Sequence, residues 1–176
     1  CFYCKPSKVD SEQMLVEYGG TSVAVRIMAD GKLRGSVYDD TGTPVEWYVE
    51  SNSALAVKGV SDAAYSIAFV NTGYDLRLYI DGVLQDFRYQ NRAWIGKTIN
   101  TGGGNFTIGA TNAGSNGFEG SMERFEVHNK DLSQREIQYR HLKKTKPIDL
   151  EANAENTVFA TNCKNYLPIN DNPLLQ

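Results

Sequence analysis

"YDLRLYIDGVLQDF", residues 74–87, decides the fold. Leu76, Leu78 and Ile80 share one parity, Asp81-Gly82 interrupts the run, and Val83-Leu84 resumes it. Alternation broken by Asp-Gly reads as a strand, a tight turn and a returning strand. The face carrying Arg77 and Tyr79 is then the one turned away from the apolar stripe.

"SVAVRIMADGKLRGSVYD", residues 22–39, makes a second hairpin, and its hydrophobic pattern sets the register. A three-residue loop of Ala29-Asp30-Gly31, with Gly31 left-handed, puts Val23, Val25, Ile27, Leu33, Gly35 and Val37 on one face. A two-residue loop would mix Ile27 with Arg34. The three-residue register leaves Ala24, Arg26, Met28, Arg34, Ser36 and Tyr38 on the solvent face, with Arg26 directly across from Arg34.

Further strands are expected at 46–50, 54–58, 64–70, 76–80, 106–109 and 118–127, separated by turn residues. In the last, Gly120 and Met122 share one parity and Phe125 and Val127 the other, so a β-bulge is expected near Glu123-Arg124. One helix is marked, in "LSQREIQYRHLKK": Ser133 as N-cap with Glu136 three residues on is a capping box, and Leu132 and Ile137 are placed as its hydrophobic staple. Many short strands with a single late helix describe an all-β, two-sheet antiparallel sandwich.

The chain has 176 residues and a net charge of −3. That length suits one domain with a tail, divided here into residues 1–140 and 141–176. The slight negative charge gives no basic field for a phosphate backbone, which argues against nucleic acid. No apolar run approaches the roughly 20 residues that span a bilayer. The chain opens inside a strand at Cys1, so it reads as a processed or excised piece of something longer. Cys1, Cys4 and Cys163 permit at most one internal disulfide. Cys1 and Cys4, three apart on a strand, point to opposite faces and read as packing thiols, with no helix start nearby to activate them. A strand at 157–161 is expected to cover a sheet edge left bare by that opening.

"LRLYIDGVL", then "NFTIGATN", then "GFEGSMERFEVHNKDLSQREI" resemble in order the closing motifs of concanavalin A-like jelly rolls, the laminin G-like and pentraxin-like lectin domains. "FYCKP" followed by "MLVEYGG" resembles the early strand and loop of that fold. The resemblance covers roughly residues 2–140. It is nearest to the lectin modules attached to sialidases, but their sialate-binding positions are changed. Asn112 and Ala113 stand in place of a Lys-Arg pair, and Arg34 and Ser36 in place of a Glu and an Arg. The resemblance implies the jelly-roll fold and a glycan or glycoprotein partner. It also implies an extracellular, cell-surface or virion-associated setting.

Jelly-roll glucanases carry a Glu-x-Asp-x-x-Glu strand, because retaining hydrolysis needs two carboxyls about 5 Å apart. Glu119, Glu123 and Glu126 lack that spacing and read as surface glutamates, and His128 and His141 are too far apart in sequence to suggest a metal pair. The chain is therefore read as non-catalytic. No cofactor is called for, although many relatives hold Ca²⁺, for which Asp39-Asp40 and Asp81 are candidate ligands. Aspartate in turns has its own backbone reasons to be there.

The expected function is recognition of a glycan, in which aromatic rings stack on sugars and polar side chains fix hydroxyls. The candidate ligand-binding residues are Arg26, Arg34, Tyr38, Trp47, Tyr48, Asn112 and Asn116; Arg77, Tyr79 and Trp94 are further polar and aromatic candidates. The other reading is a structural or receptor-binding module of a viral or phage fibre or surface protein. Arg26 and Arg34 repel each other, and nothing in the local sequence supplies a carboxylate between them. Either each reaches its own distant acid, or the pair waits for an anionic sugar group with Tyr38 stacking beside it.

Overall fold

The structure is a computed structural model and describes residues 1–19, 22–40, 45–85, 88–90, 98–99, 105–111, 113–143 and 163–166. Its strands are β1 (Phe2–Pro6), β2 (Gln13–Tyr18), β3 (Val23–Ile27), β4 (Lys32–Tyr38), β5 (Glu46–Ala54), β6 (Tyr65–Asn71) and β7 (Leu76–Ile80). They continue as β8 (Val83–Leu84), β9 (Arg88–Gln90), β10 (Phe106–Ile108), β11 (Gly120–Glu123), β12 (Glu126–His128) and β13 (Cys163–Tyr166), with helix α1 at Gln134–Leu142. One sheet has the order β11-β1-β6-β7-β8 and the other β10-β2-β3-β4-β5-β9, while β12 and β13 pair apart from both. All the pairings are antiparallel.

Both hairpins adopt the register their sequences predict. Asp81 (φ 53°) and Gly82 (φ 74°) form the two-residue turn between Ile80 and Val83, as a turn with two positive φ values requires. Gly31 is left-handed at φ 78°, and Ile27 faces Leu33 across the three-residue loop.

The main core lies between the two sheets. Leu15, Val25, Ile27, Leu33, Val37, Trp47 and Val49 from the longer sheet meet Phe2, Cys4, Ile67, Leu76 and Leu78 from the shorter. At one point the approach is very close: a Cβ on Gly35 would stand 2.4 Å from Cδ2 of Phe69. Cys4 is buried in this core, and its thiol is pushed up to about 12, mainly by burial. Cys1 packs on the other side of the shorter sheet.

The second face of the 74–87 hairpin is covered. Tyr79, with Ala68 and Val70 of β6, packs under Leu132 and Ile137 of the helix segment. The capping box is present: Ser133 Oγ accepts from the Glu136 amide at 3.3 Å, and Glu136 Oε2 accepts from the Ser133 amide at 2.7 Å. Tyr3 donates its hydroxyl to the Arg140 carbonyl at 2.7 Å, tying β1 to the end of the helix.

Two expectations change and a third holds. Segments 46–50 and 54–58 are not two strands; one strand, β5, runs from Glu46 to Ala54. The β-bulge expected near Glu123-Arg124 is present: Tyr3 pairs with Glu123 while Cys1 exchanges both backbone hydrogen bonds with Glu126 at 2.7 Å, so Arg124 and Phe125 stand opposite Phe2 alone, with Arg124 left-handed at φ 53°. Glu126 is no surface glutamate, being 5 % exposed. The helix runs from Gln134 to Leu142, across residue 140. The expected strand at 157–161 lies outside the described residues.

Candidate functional site

β3, β4 and β5 carry the candidate residues on the face of the longer sheet turned away from the core. Across these strands Ala24 faces Ser36, which faces Tyr48; in the next row Arg26 faces Arg34, which faces Glu50. Tyr38 pairs with Glu46. Arg26, Arg34, Tyr38 and Tyr48 therefore share one surface, as their parity predicts.

The two guanidiniums are not waiting for an anion. β5 carries a carboxylate to each: Glu46 contacts Arg26 directly and lies 3.6 Å from Arg34, while Glu50 accepts from Arg34 Nε at 2.8 Å and Nη2 at 2.5 Å. Glu12 adds a third carboxylate 3.6 Å from Arg26. Of the two readings of the pair, the one in which each arginine reaches its own distant acid is what the structure shows, because β5 sits beside β4 in the sheet and brings residues that the hairpin's own sequence does not contain. Charge-assisted pairs of this kind are stronger than neutral hydrogen bonds, and the side chains of all four central residues are less than a quarter exposed.

The Arg34 guanidinium lies flat over Tyr48, 3.9 Å from the ring centroid, so that face of the ring is occupied by a cation. Burial raises the Tyr38 hydroxyl above its usual range, and the neighbouring Glu46 charge adds to it; the phenol stays protonated as a donor. Ala24 and Ser36 lie below these longer side chains, both buried. Ser36 Oγ has no hydrogen-bond partner among the described residues.

The other candidates lie elsewhere. Trp47 is corrected to the core: it pairs with Val37, shares its inward parity, is 9 % exposed and donates Nε1 to Asp39 Oδ2 at 3.0 Å. Asn116 is left-handed (φ 51°) in the 109–118 loop, and its carbonyl accepts from the Met14 amide at 2.8 Å. That places its backbone beside β2, whose Met14 pairs with Arg26. Asn112 and Trp94 lie outside the described residues. Tyr79 is buried under the helix, and Arg77 contacts Asp75 at 3.4 Å.

The aspartates proposed for calcium are engaged by the fold. Asp39 is buried and accepts from the Val45 amide at 3.0 Å as well as from Trp47, and Asp81 accepts from the Ser66 amide at 2.9 Å. Among the described residues no three His, Cys, Asp or Glu side chains converge as a metal site would require.

Sequence reasoning missed the Glu46/Glu50 pair and the buried cluster around Glu126. Glu46 and Glu50, four apart on one strand, share a face by the period of two, and that spacing was the available signal. Glu126 Oε2 lies 3.0 Å from His128 Nε2 and 3.3 Å from Arg140 Nε. Burial acts to raise this carboxyl, but the His128 hydrogen bond and the Arg140 charge outweigh it and hold it below the usual range.

The family described as the concanavalin A-like lectin/glucanases superfamily (Laminin_G_3) matches residues 1–138, from the first strand into the helix. No curated protein matches the chain.

Proposed function

From a chain that belongs to the concanavalin A-like lectin/glucanases superfamily, we propose a non-catalytic carbohydrate-binding module of a larger extracellular, cell-surface or virion protein. The glycan lies over the outer face of β3, β4 and β5. One observation carries this reading: Arg34 is held between Glu46 and Glu50 above Tyr48, so fixed donors and acceptors stand side by side on one surface. Sugar hydroxyls donate and accept at once, and a guanidinium next to a carboxylate answers both demands.

The same pairing favours a neutral glycan over an acidic one. Three carboxylates meet two guanidiniums here, and an incoming carboxylate or sulfate would have to displace a glutamate already in place. It also argues against hydrolysis. Glu46 and Glu50 are the only two glutamates of β5 and share its outer face, but a glycosidase needs one carboxyl kept neutral by apolar surroundings, and both face guanidinium groups instead.

The whole chain on a glycan array carrying neutral, sialylated, uronic and sulfated sugars tests the reading. Binding to neutral glycans that is lost in Glu50→Gln supports it. Binding to acidic glycans alone would refute the neutral preference. Silence across the array, with the protein folded, would leave the protein-contact module as the better account.

A further inference from the structure

The longer sheet ends in β9 on one side and in β10 on the other. β9 has Arg88 in its sequence, and a charged residue on an edge discourages pairing with another chain. β10 is Phe106-Thr107-Ile108, with neither charge nor proline, and Phe106 and Ile108 are each 43 % exposed. An uncharged, apolar edge of this kind invites a second copy to add its own strand.

The residue that opens this edge has a second property. Asn105-Phe106-Thr107 is the chain's only Asn-x-Ser/Thr triplet, the acceptor pattern for N-linked oligosaccharide, which needs a surface position. Asn105 is exposed, and its backbone carbonyl accepts from the Gly19 amide at 3.2 Å. Its side-chain amide has no hydrogen-bond partner among the described residues. The backbone is thus fixed beside β2 while Nδ2 is left to solvent.

We propose that Asn105 is an N-glycosylation site and that its oligosaccharide shields the β10 edge from other copies of the chain. Nδ2 attacks the anomeric carbon of a lipid-linked pyrophosphate oligosaccharide, so that the C1–N bond forms and the C1–O bond to pyrophosphate breaks. The lipid pyrophosphate leaves with the electron pair, and the amide proton passes to a base of the transferase. Transfer precedes the folding of β10, which turns the Thr107 hydroxyl to the Glu17 carbonyl at 3.4 Å. A bulky, hydrated chain rooted there solubilises the surface around it, and β2 separates it from the array on β3, β4 and β5. The inference rests on the extracellular setting proposed above and not on glycan recognition.

The whole chain is expressed in cultured animal cells behind a cleavable secretion leader. Its intact mass is read on protein from cells and medium alike, before and after peptide-N-glycosidase applied without denaturant. The expected result is a mass excess that the enzyme removes, with aspartate left in place of Asn105 in the peptide map. Asn105→Gln and Thr107→Ala should abolish the excess, and Thr107→Ser should keep it. In sedimentation the glycosylated chain should stay a monomer, while the enzyme-treated chain should rise about twofold in apparent mass with concentration, as a symmetric pairing of edges requires. An unmodified Asn105 would overturn the site, and a treated chain that sediments like the untreated one would overturn the shielding. Neither outcome depends on a variant. A silent glycan array with Asn105 occupied counts against the carbohydrate reading alone, and array binding with Asn105 unmodified counts against this site alone.

Discussion

Glu136 has three partners within hydrogen-bond reach: the Ser133 amide at 2.7 Å, the Ser133 hydroxyl at 2.7 Å and the Lys130 ammonium at 2.6 Å. Partial burial pushes its carboxyl upward, but these three outweigh it and bring it from 4.5 down to about 2. A carboxyl depressed in the folded state contributes stability that is complete above its unfolded value and is lost as pH falls through the folded one. Acid titration should therefore erode the helix contribution between about pH 4.5 and about pH 2, and Glu136→Gln should remove that dependence, as followed by urea unfolding across the range. At the same cap, Ser133→Ala should cost about 1 kcal/mol and leave glycan binding unchanged. Arg34 behaves differently from an exposed arginine. With two carboxylates and a tyrosine ring on it, Arg34→Ala should cost about 2 kcal/mol in chemical denaturation. In a double-mutant cycle with Glu50→Ala the two losses should fall short of additive, because each removes the same contact. Additive losses would show that the pair is not coupled.

At the scale of strands and hairpins, what was legible in the sequence was local. The Asp81-Gly82 turn and the Ala29-Asp30-Gly31 loop set their own registers, so the Arg26/Arg34 juxtaposition follows from residues 22–39 alone. The partner of β4's other edge does not. β5 pairs with β4 in an unbroken run from Arg34↔Glu50 to Tyr38↔Glu46, and that register, which residues 22–39 do not contain, decides which β5 side chains meet the arginines. Trp47 was misplaced for the same reason: an aromatic on a strand of unknown register has no face until its neighbour is known. The bulge at Arg124 was visible as a parity conflict, because one extra residue in a strand moves every later side chain to the other face. Sheet-to-sheet approach is equally unreadable. Gly35 looks like one more strand residue, yet Phe69 from the opposite sheet fills the space where its side chain would be. Gly35→Ala should therefore overpack the core and cost about 1–3 kcal/mol, and Phe69→Leu in the same chain should recover part of it. Thermal unfolding of the two variants and their combination checks this.

For the molecule as a whole, the shorter sheet is covered on both sides, by the longer sheet on one and by the helix segment on the other. Tyr79 shows the consequence: it is 1 % exposed although it lies on the face opposite the main core. The helix is tied down at several separate points. Ile137 and Leu132 enter the cluster of Ala68, Val70 and Tyr79, the Arg140 carbonyl accepts from Tyr3, and the Arg140 side chain meets Glu126. Gly82 passes so close that a Cβ there would lie 3.3 Å from Gln138 Cα and from His141 Cβ, so the hairpin tip also rests on the helix. A helix of nine residues is too short to hold its shape alone; its order comes from this docking, and the burial of β6 and β7 depends on it in return. Ile137→Ala should then destabilise the whole domain by about 2–5 kcal/mol rather than fray the helix locally. Native-state hydrogen exchange distinguishes the two. Global coupling predicts that the amides of Leu78 and Ile67, in the main core, lose as much protection as those of the helix, whereas loss confined to residues 134–142 would make the helix an appendage.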